Sequence, residues 1–184
     1  RWIRGYLMSV PTVALFLGAG YMGGGVQGLL IGLAVMLVVW VISNFELEAL
    51  NYMEHYGLIR VKDEPIEYRH SWDNDNMFTS WAFIEIGRQA DHHDRGETHF
   101  WELSSVGGAP DGAPNAGIGY YTEFVLALIP PLWHHIYKRK LAVWDRDFAS
   151  PEEREIAREI NRKVGYEVEP DEIKDRTLAV SYAT

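Results

Sequence analysis

The sequence has no cysteine. That absence excludes disulfides, thiolate nucleophiles and every zinc or iron–sulfur site built on sulfur. Basic residues are also scarce: 17 Lys and Arg stand against 26 Asp and Glu, a formal charge of -9. With no basic stripe to neutralise phosphates, nucleic acid is excluded as a partner. Phosphate-binding glycine loops, nucleophile elbows and haem motifs are missing too, as are internal repeats and low-complexity tracts. The chain opens Arg1-Trp2-Ile3 without an initiator methionine, so it reads as a segment of something longer. Any metal held here must sit among histidines and carboxylates, with an amide helping.

What is present is unevenly placed. Tyr6 to Tyr21 is apolar, a glycine-rich turn follows at Gly23, Gly24 and Gly25, and Val26 to Ser43 is apolar again. About 17 to 20 apolar residues suffice to cross a bilayer, and neither run shows a polar stripe of helical period. The fold class expected is an all-α membrane protein. A transmembrane hairpin over residues 1–57 continues into a helical, histidine-rich metal segment over 58–149. A carboxy-terminal helix and tail follow over 150–184. Arg1 and Arg4 before the first span, and the charges after the second, place both hairpin ends in the cytoplasm. The alternative is a buried helix pair in a large soluble core.

No breaker interrupts Asn44 to His55, so the second helix is expected to run on to a stop at Gly57. Residues 60–76 read as irregular, and Met77 to His93 as one further helix. Glu123 to Trp133 is too short to span and is broken by Pro130-Pro131, which suits a helix lying against the bilayer. Lys138, Arg139 and Lys140 then form a basic run suited to headgroups. Ser150-Pro151-Glu152-Glu153 carries the N-cap, first-turn proline and capping-box glutamate of a helix start.

Two groups of residues can carry metal chemistry. On a helix Gln89, His92 and His93 share one face, with Glu85 a turn earlier. Neutral imidazole suits iron, zinc, copper or nickel, and a carboxylate can orient it through its second nitrogen. The bland reading is a pair of surface histidines. At the end of the second span, Glu48, Asn51, Tyr52 and His55 fall on one face, and polar groups so close to lipid are costly unless paired or ligating. A lone histidine there is otherwise a hydrogen-bonded structural residue. His70 suits a supporting or solvent-facing role, as does His99, and His134 and His135 an interfacial one.

These residues also carry a resemblance. Asn51 to Leu58, NYMEHYGL, resembles a motif of the integral-membrane alkane monooxygenases, and His70-Ser71-Trp72 resembles the step that follows it. Gly87 to His93, GRQADHH, resembles that family's last histidine box, usually H-x-x-H-H. Ile129 to Trp133, IPPLW, resembles a segment near the family's carboxy terminus.

The resemblance implies a multi-pass enzyme of the bacterial inner membrane with a cytoplasmic-side site of two iron ions. Its activity would be O2-dependent terminal hydroxylation of a hydrophobic chain, with electrons from rubredoxin or ferredoxin. His55, His92 and His93 match iron-binding histidines. Glu85 matches an acidic position before the last box, and Glu48, Asn51, Tyr52, Glu54 and His70 would support the ligands. Gln89 stands where the box has its first histidine; some membrane desaturases carry Q-x-x-H-H there, so iron is not lost by that change alone. The two earlier histidine boxes of the family are not in these residues, so this chain by itself would bind iron poorly.

Rival readings are an alkyl-aromatic (xylene-type) hydroxylase, a fatty-acyl desaturase, and a non-catalytic membrane module with a structural or vestigial histidine pair. Leu37, Val38, Val39 and Trp40 are candidates to line a substrate channel or to face lipid. The Lys138–Lys140 run is a candidate surface for an acidic electron donor.

Overall fold

The computed structural model describes residues 2–108 and 112–165, and the expected tail beyond Gly165 lies outside them. Among the described residues all regular structure is helical, with two isolated bridges, Asp73–Asn115 and Gly107–Ala113. The chain divides into two compact units, Arg1–Glu48 and Ala49–Thr184. That boundary lies inside the expected 1–57 segment, because the last turns of the long helix pack with the second unit.

In the first unit, helix α1 (Trp2–His55) is interrupted at Gly24 and Gly25, whose backbone angles are not helical. The interruption falls within the glycine-rich turn expected from the sequence. The segments on either side pack against each other. A Cβ placed on Gly28 would collide with the Gly20 carbonyl oxygen, and one on Gly32 would meet Leu17 at 3.5 Å. Only hydrogen at residues 20 and 28 allows that backbone approach. From Ser9 onward the helix is long and apolar enough to cross a membrane, and only 6 % of its most apolar stretch is buried within the protein.

The second unit is built on Met53, Trp72, Tyr120, Trp133, Tyr137, Leu141 and Trp144, all buried. Trp133 stacks on Tyr137 with centroids 3.8 Å apart, and Trp72 meets Tyr137 edge-on at 5.6 Å. Offset and edge contacts of this kind add about 0.5–1.5 kcal/mol each beyond their burial. These rings come from α5 (Pro130–Asp147) and from the loop before α2 (Met77–Ala82). Tyr120 opens α4 (Tyr120–Ala127).

The proline pair does not merely end a helix. Pro130 and Pro131 occupy the first turn of α5, where a missing N–H costs nothing. Helix α6 (Pro151–Val164) starts as its sequence signals, with a reciprocal capping box between Ser150 and Glu153, and ends at Gly165 in the left-handed conformation.

Two expectations are corrected. Met77 to His93 is not one helix: α2 ends at Ala82, α3 runs Gln89–Asp94, and Ile84 and Glu85 between them have positive φ. Tertiary bonding wins over helical periodicity there, since Gly87 O accepts from Asn74 N at 2.8 Å. Glu85 therefore does not share a helical face with the histidines. Lys140 is not a surface cation either. Its side chain is 12 % exposed, ion-paired to buried Glu123 at 3.8 Å, and stacked over Tyr137. The basic run thus presents Lys138 and Arg139 alone.

Candidate metal centre

The site begins where α1 ends. A helix leaves its last carbonyls without partners, and here an extended segment supplies them. Trp72 N donates to Glu54 O at 2.8 Å, and the Trp72 indole donates to Tyr56 O at 2.9 Å. Between those contacts, His55 Nδ1 donates to the His70 carbonyl at 3.1 Å, with Ser71 Oγ at 3.4 Å. A carbonyl can only accept, so Nδ1 carries the ring proton and Nε2 is left with its lone pair. A backbone carbonyl behind the ring is the usual support of a metal-binding histidine.

Helix α3 brings the second imidazole. Buried Asp73 accepts from Ala90 N in the first turn of α3 at 3.0 Å. Asp91, also buried, accepts from Ser104 N at 2.7 Å and pairs with Arg95. The hydrogen bond from Arg95 holds the Asp91 carboxyl below its usual range against the opposing effect of burial. With α3 so fixed, His93 Nε2 faces His55 Nε2 at 3.2 Å, the rings 5.0 Å apart. Burial first, then the neighbouring His55 and His92, pushes the His93 pKa down, so its ring is neutral near pH 7, as a ligand must be.

Gln89 lies one turn earlier, its side-chain amide nitrogen 3.1 Å from His93 Nε2. Rotating that amide by half a turn exchanges N–H for carbonyl oxygen, the face a metal would need. His92 is exposed, its ring 6.1 Å from that of His93.

The structure thus gathers His55, His93 and Gln89, with His92 at the rim. His70 stands behind His55 through its carbonyl, while its ring is buried against Glu153 at 2.6 Å. Glu54 points into the core, where its carboxylate accepts from Tyr120 OH at 2.7 Å. Tyr52 packs on Tyr56 and Trp133. Glu85 pairs with Arg88 at 2.9 Å. Glu48 and Asn51 are exposed, and neither bonds to His55 or His93. His99 stacks on Trp101, and His134 Nδ1 is hydrogen-bonded to Tyr56 OH at 2.5 Å.

Asp73 bonds the first turn of α3, Ser71 lies beside His55 Nδ1 and Glu153 bonds the His70 ring, and the sequence singles out none of the three for the site. Nothing in the spacing of Asp73 marks it, and Glu153 carries only the signature of a helix cap.

The donor set fits iron in part. Two imidazole nitrogens opposed at hydrogen-bonding distance share a proton or a cation, and imidazole is a ligand for iron as it is for zinc, copper and nickel. Among the described residues, however, no three His, Asp or Glu side chains converge as a metal site. His55 Nε2, His93 Nε2 and the Gln89 amide are the groups that this cluster brings together.

A helical chain ending an apolar helix in such a cluster fits one class. The family model for fatty acid desaturase matches residues 1–124, and the chain belongs to that family.

Among curated relatives, the xylene/toluene monooxygenase hydroxylase component of Pseudomonas putida is 37 % identical over 161 residues, 87 % of this chain and 40 % of that protein. Alkane 1-monooxygenase 1 of Pseudomonas aeruginosa is 33 % identical over 76 % of this chain and 35 % of its own length. Alkane 1-monooxygenase 2 of Alcanivorax borkumensis is 35 % identical over 53 % of this chain and 26 % of its own. The chain spans two-fifths or less of these relatives. No solved structure matches it significantly.

Proposed function

We propose that this chain is part of a membrane-embedded non-haem di-iron monooxygenase that hydroxylates hydrophobic hydrocarbons with O2. The observation that carries the reading is the 3.2 Å apposition of His55 and His93, in a chain similar to xylene and alkane monooxygenases. The two segments of α1 cross the bilayer as a hairpin, and the histidine cluster lies on the cytoplasmic side. Electrons come from rubredoxin or a ferredoxin docked near Lys138 and Arg139.

In this reading His55, His93 and the carbonyl of Gln89 hold one side of the iron site, with His92 entering at its rim. Iron, when bound, supplies one-electron chemistry with O2 that no side chain here can perform. The protein's own part is positional. The His70 carbonyl keeps the His55 proton on Nδ1 and its Nε2 free, burial keeps His93 neutral, and Asp73 and Asp91 lock α3. The remaining ligands belong to segments that the relatives possess beyond the matched region, so this chain alone binds iron weakly and turns nothing over.

Alkyl-arenes are favoured over alkanes as substrate, because similarity to the xylene/toluene component extends over more of the chain. Product analysis of the complete protein with octane, xylene and a fatty-acyl substrate separates hydroxylation of either hydrocarbon from desaturation. Iron analysis is the test against a non-catalytic module. About two irons per chain, lost in His55→Ala and His93→Ala but retained in His99→Ala, supports the enzyme; no iron in the complete protein refutes it.

A further inference from the structure

We infer that Glu153, on α6, is a positioning residue for His55: its carboxylate fixes the Arg69–His70 turn, whose main chain aims the His55 ring at His93. The link from His55 to a metal rests on the proposed function. The positioning itself does not.

A capping-box glutamate needs one oxygen for one backbone N–H and is ordinarily solvated. Glu153 departs from that pattern. Its side chain is fully buried, 0 % exposed. Oε2 accepts from Ser150 N at 2.7 Å and from Arg69 Nε at 2.9 Å. Oε1 accepts from His70 Nε2 at 2.6 Å and from Arg69 Nη2 at 3.3 Å. Four donors nearly fill the lone pairs of a carboxylate, and three of the four come from two consecutive residues far away in the chain. The cap alone does not account for them.

Those two residues lie in a single 3-10 turn, Tyr68–His70. The His70 ring is held at both nitrogens: Nδ1 accepts from Glu67 N at 2.9 Å, so Nε2 carries the proton given to Glu153. The Arg69 carbonyl accepts from the Trp144 indole at 2.8 Å. A turn pinned on both its side chains leaves its outgoing carbonyl little freedom, and that carbonyl is the acceptor for His55 Nδ1. The next residues continue the grip, Ser71 at the same nitrogen and Trp72 on the carbonyls either side of His55. Burial of Glu153 without these partners would favour its neutral form. With Arg69, His70 and Ser150 N–H bonded to it, the carboxyl is held down at about 2 instead, so the anchor is a full charge at any physiological pH. Glu153 lies beyond the part of the chain that matches the family model.

The consequence is a specific tautomer. With the His70 carbonyl in place His55 is protonated on Nδ1 and bare on Nε2; with the turn released, water can protonate either nitrogen. Imidazole 15N spectra of histidine-labelled, metal-free protein in lipid bilayers read this directly, with the His55 resonance assigned from His55→Gln. Wild type is expected to show the Nδ1–H form almost alone. Glu153→Ala, and Glu153→Asp, which keeps the charge and the cap but withdraws the carboxylate by one methylene, are expected to lower that population at least twofold. Ser150→Ala weakens the start of α6 without touching Arg69 or His70 and is expected to leave it unchanged.

An unchanged tautomer in folded Glu153→Asp overturns the inference, and so does an equal shift in Ser150→Ala, which would reduce Glu153 to a structural cap. Iron titration of the complete protein keeps the two readings apart. Iron bound by wild type with a His55 tautomer indifferent to Glu153 sinks only the positioning role. A Glu153-dependent tautomer in a protein that binds no iron sinks only the metal reading.

Discussion

His93 and Gln89 sit one helical turn apart on α3, and the Gln89 amide nitrogen lies 3.1 Å from the His93 Nε2 that faces His55. Gln89 therefore lies beside the imidazole that faces His55, while His92 turns toward solvent.

Replacing that amide by an imidazole is expected to strengthen the site. Gln89→His in the complete protein adds a better nitrogen donor to borderline metals at a place where the backbone already aims it. Binding of ferrous iron or cobalt is expected to tighten about tenfold, roughly 1.4 kcal/mol, as measured by titration against a competing chelator. Affinity unchanged or weakened would mean that residue 89 supports His93 by hydrogen bonding and does not face the metal.

Gly57 holds the exit from α1 for two reasons at once. Its φ is +73°, and a Cβ there would lie 2.6 Å from both methyl carbons of Leu141. Gly57→Ala is expected to lose about 1–2 kcal/mol from the backbone conformation, plus whatever repacking Leu141 demands. Chemical unfolding should register the loss. The double variant Gly57→Ala with Leu141→Ala tests the second cause. If the steric term is real, the alanine at 57 costs less once Leu141 is gone, although the cavity at 141 carries its own penalty.

Much of this was open to reading in the sequence, and the failures have physical causes. The stop at Gly57 and the start of α6 were legible because helix ends are written locally, in a glycine and in a Ser-Pro-Glu-Glu cap. Imidazoles near an apolar run singled out His55, His92 and His93; of these the structure brings His55 and His93 together and leaves His92 exposed. Glu85 was misplaced because helical spacing was extended through Phe83–Gly87, where the Asn74–Gly87 bond sets the backbone. Lys140 was misplaced because a run of three basic residues says nothing about which one faces inward. Asp73 and Glu153 act across long stretches of chain, and no local pattern encodes a partner 84 residues away such as Arg69 for Glu153.

Two carboxyls of opposite tendency, buried Glu153 and half-buried Asp145, shape the pH response of the second unit. Glu153 is held down at about 2: burial would raise it, but hydrogen bonds from Arg69, His70 and Ser150 N–H prevail. Asp145 is pushed up to about 6 by burial, against the partial relief of Arg154 and Arg158. A depressed carboxyl contributes stability above its unfolded pKa and loses it as pH falls through the folded value. Glu153 therefore stabilises fully above about pH 4.5 and fades toward pH 2. A raised carboxyl acts in reverse. The contribution of Asp145 is complete below about pH 4 and is lost as pH rises through about 6.

Unfolding measured from pH 2.5 to 8 in detergent should separate the two. Asp145→Asn removes its own share of the descent between pH 4 and 6, to which buried Asp73, pushed up to about 6, and Glu54, pushed up to about 7, also contribute. It stabilises at pH 7 by about 1 kcal/mol, a value discounted for its partial exposure. Glu153→Gln flattens the acid limb and costs about 2 kcal/mol at pH 7, since Arg69 and His70 keep their donors but lose the charge that accepts them. The wild-type curve minus each variant isolates one carboxyl. An Asp145→Asn variant that parallels wild type from pH 4 to 6 would show that Arg154 and Arg158 offset the burial of Asp145 completely.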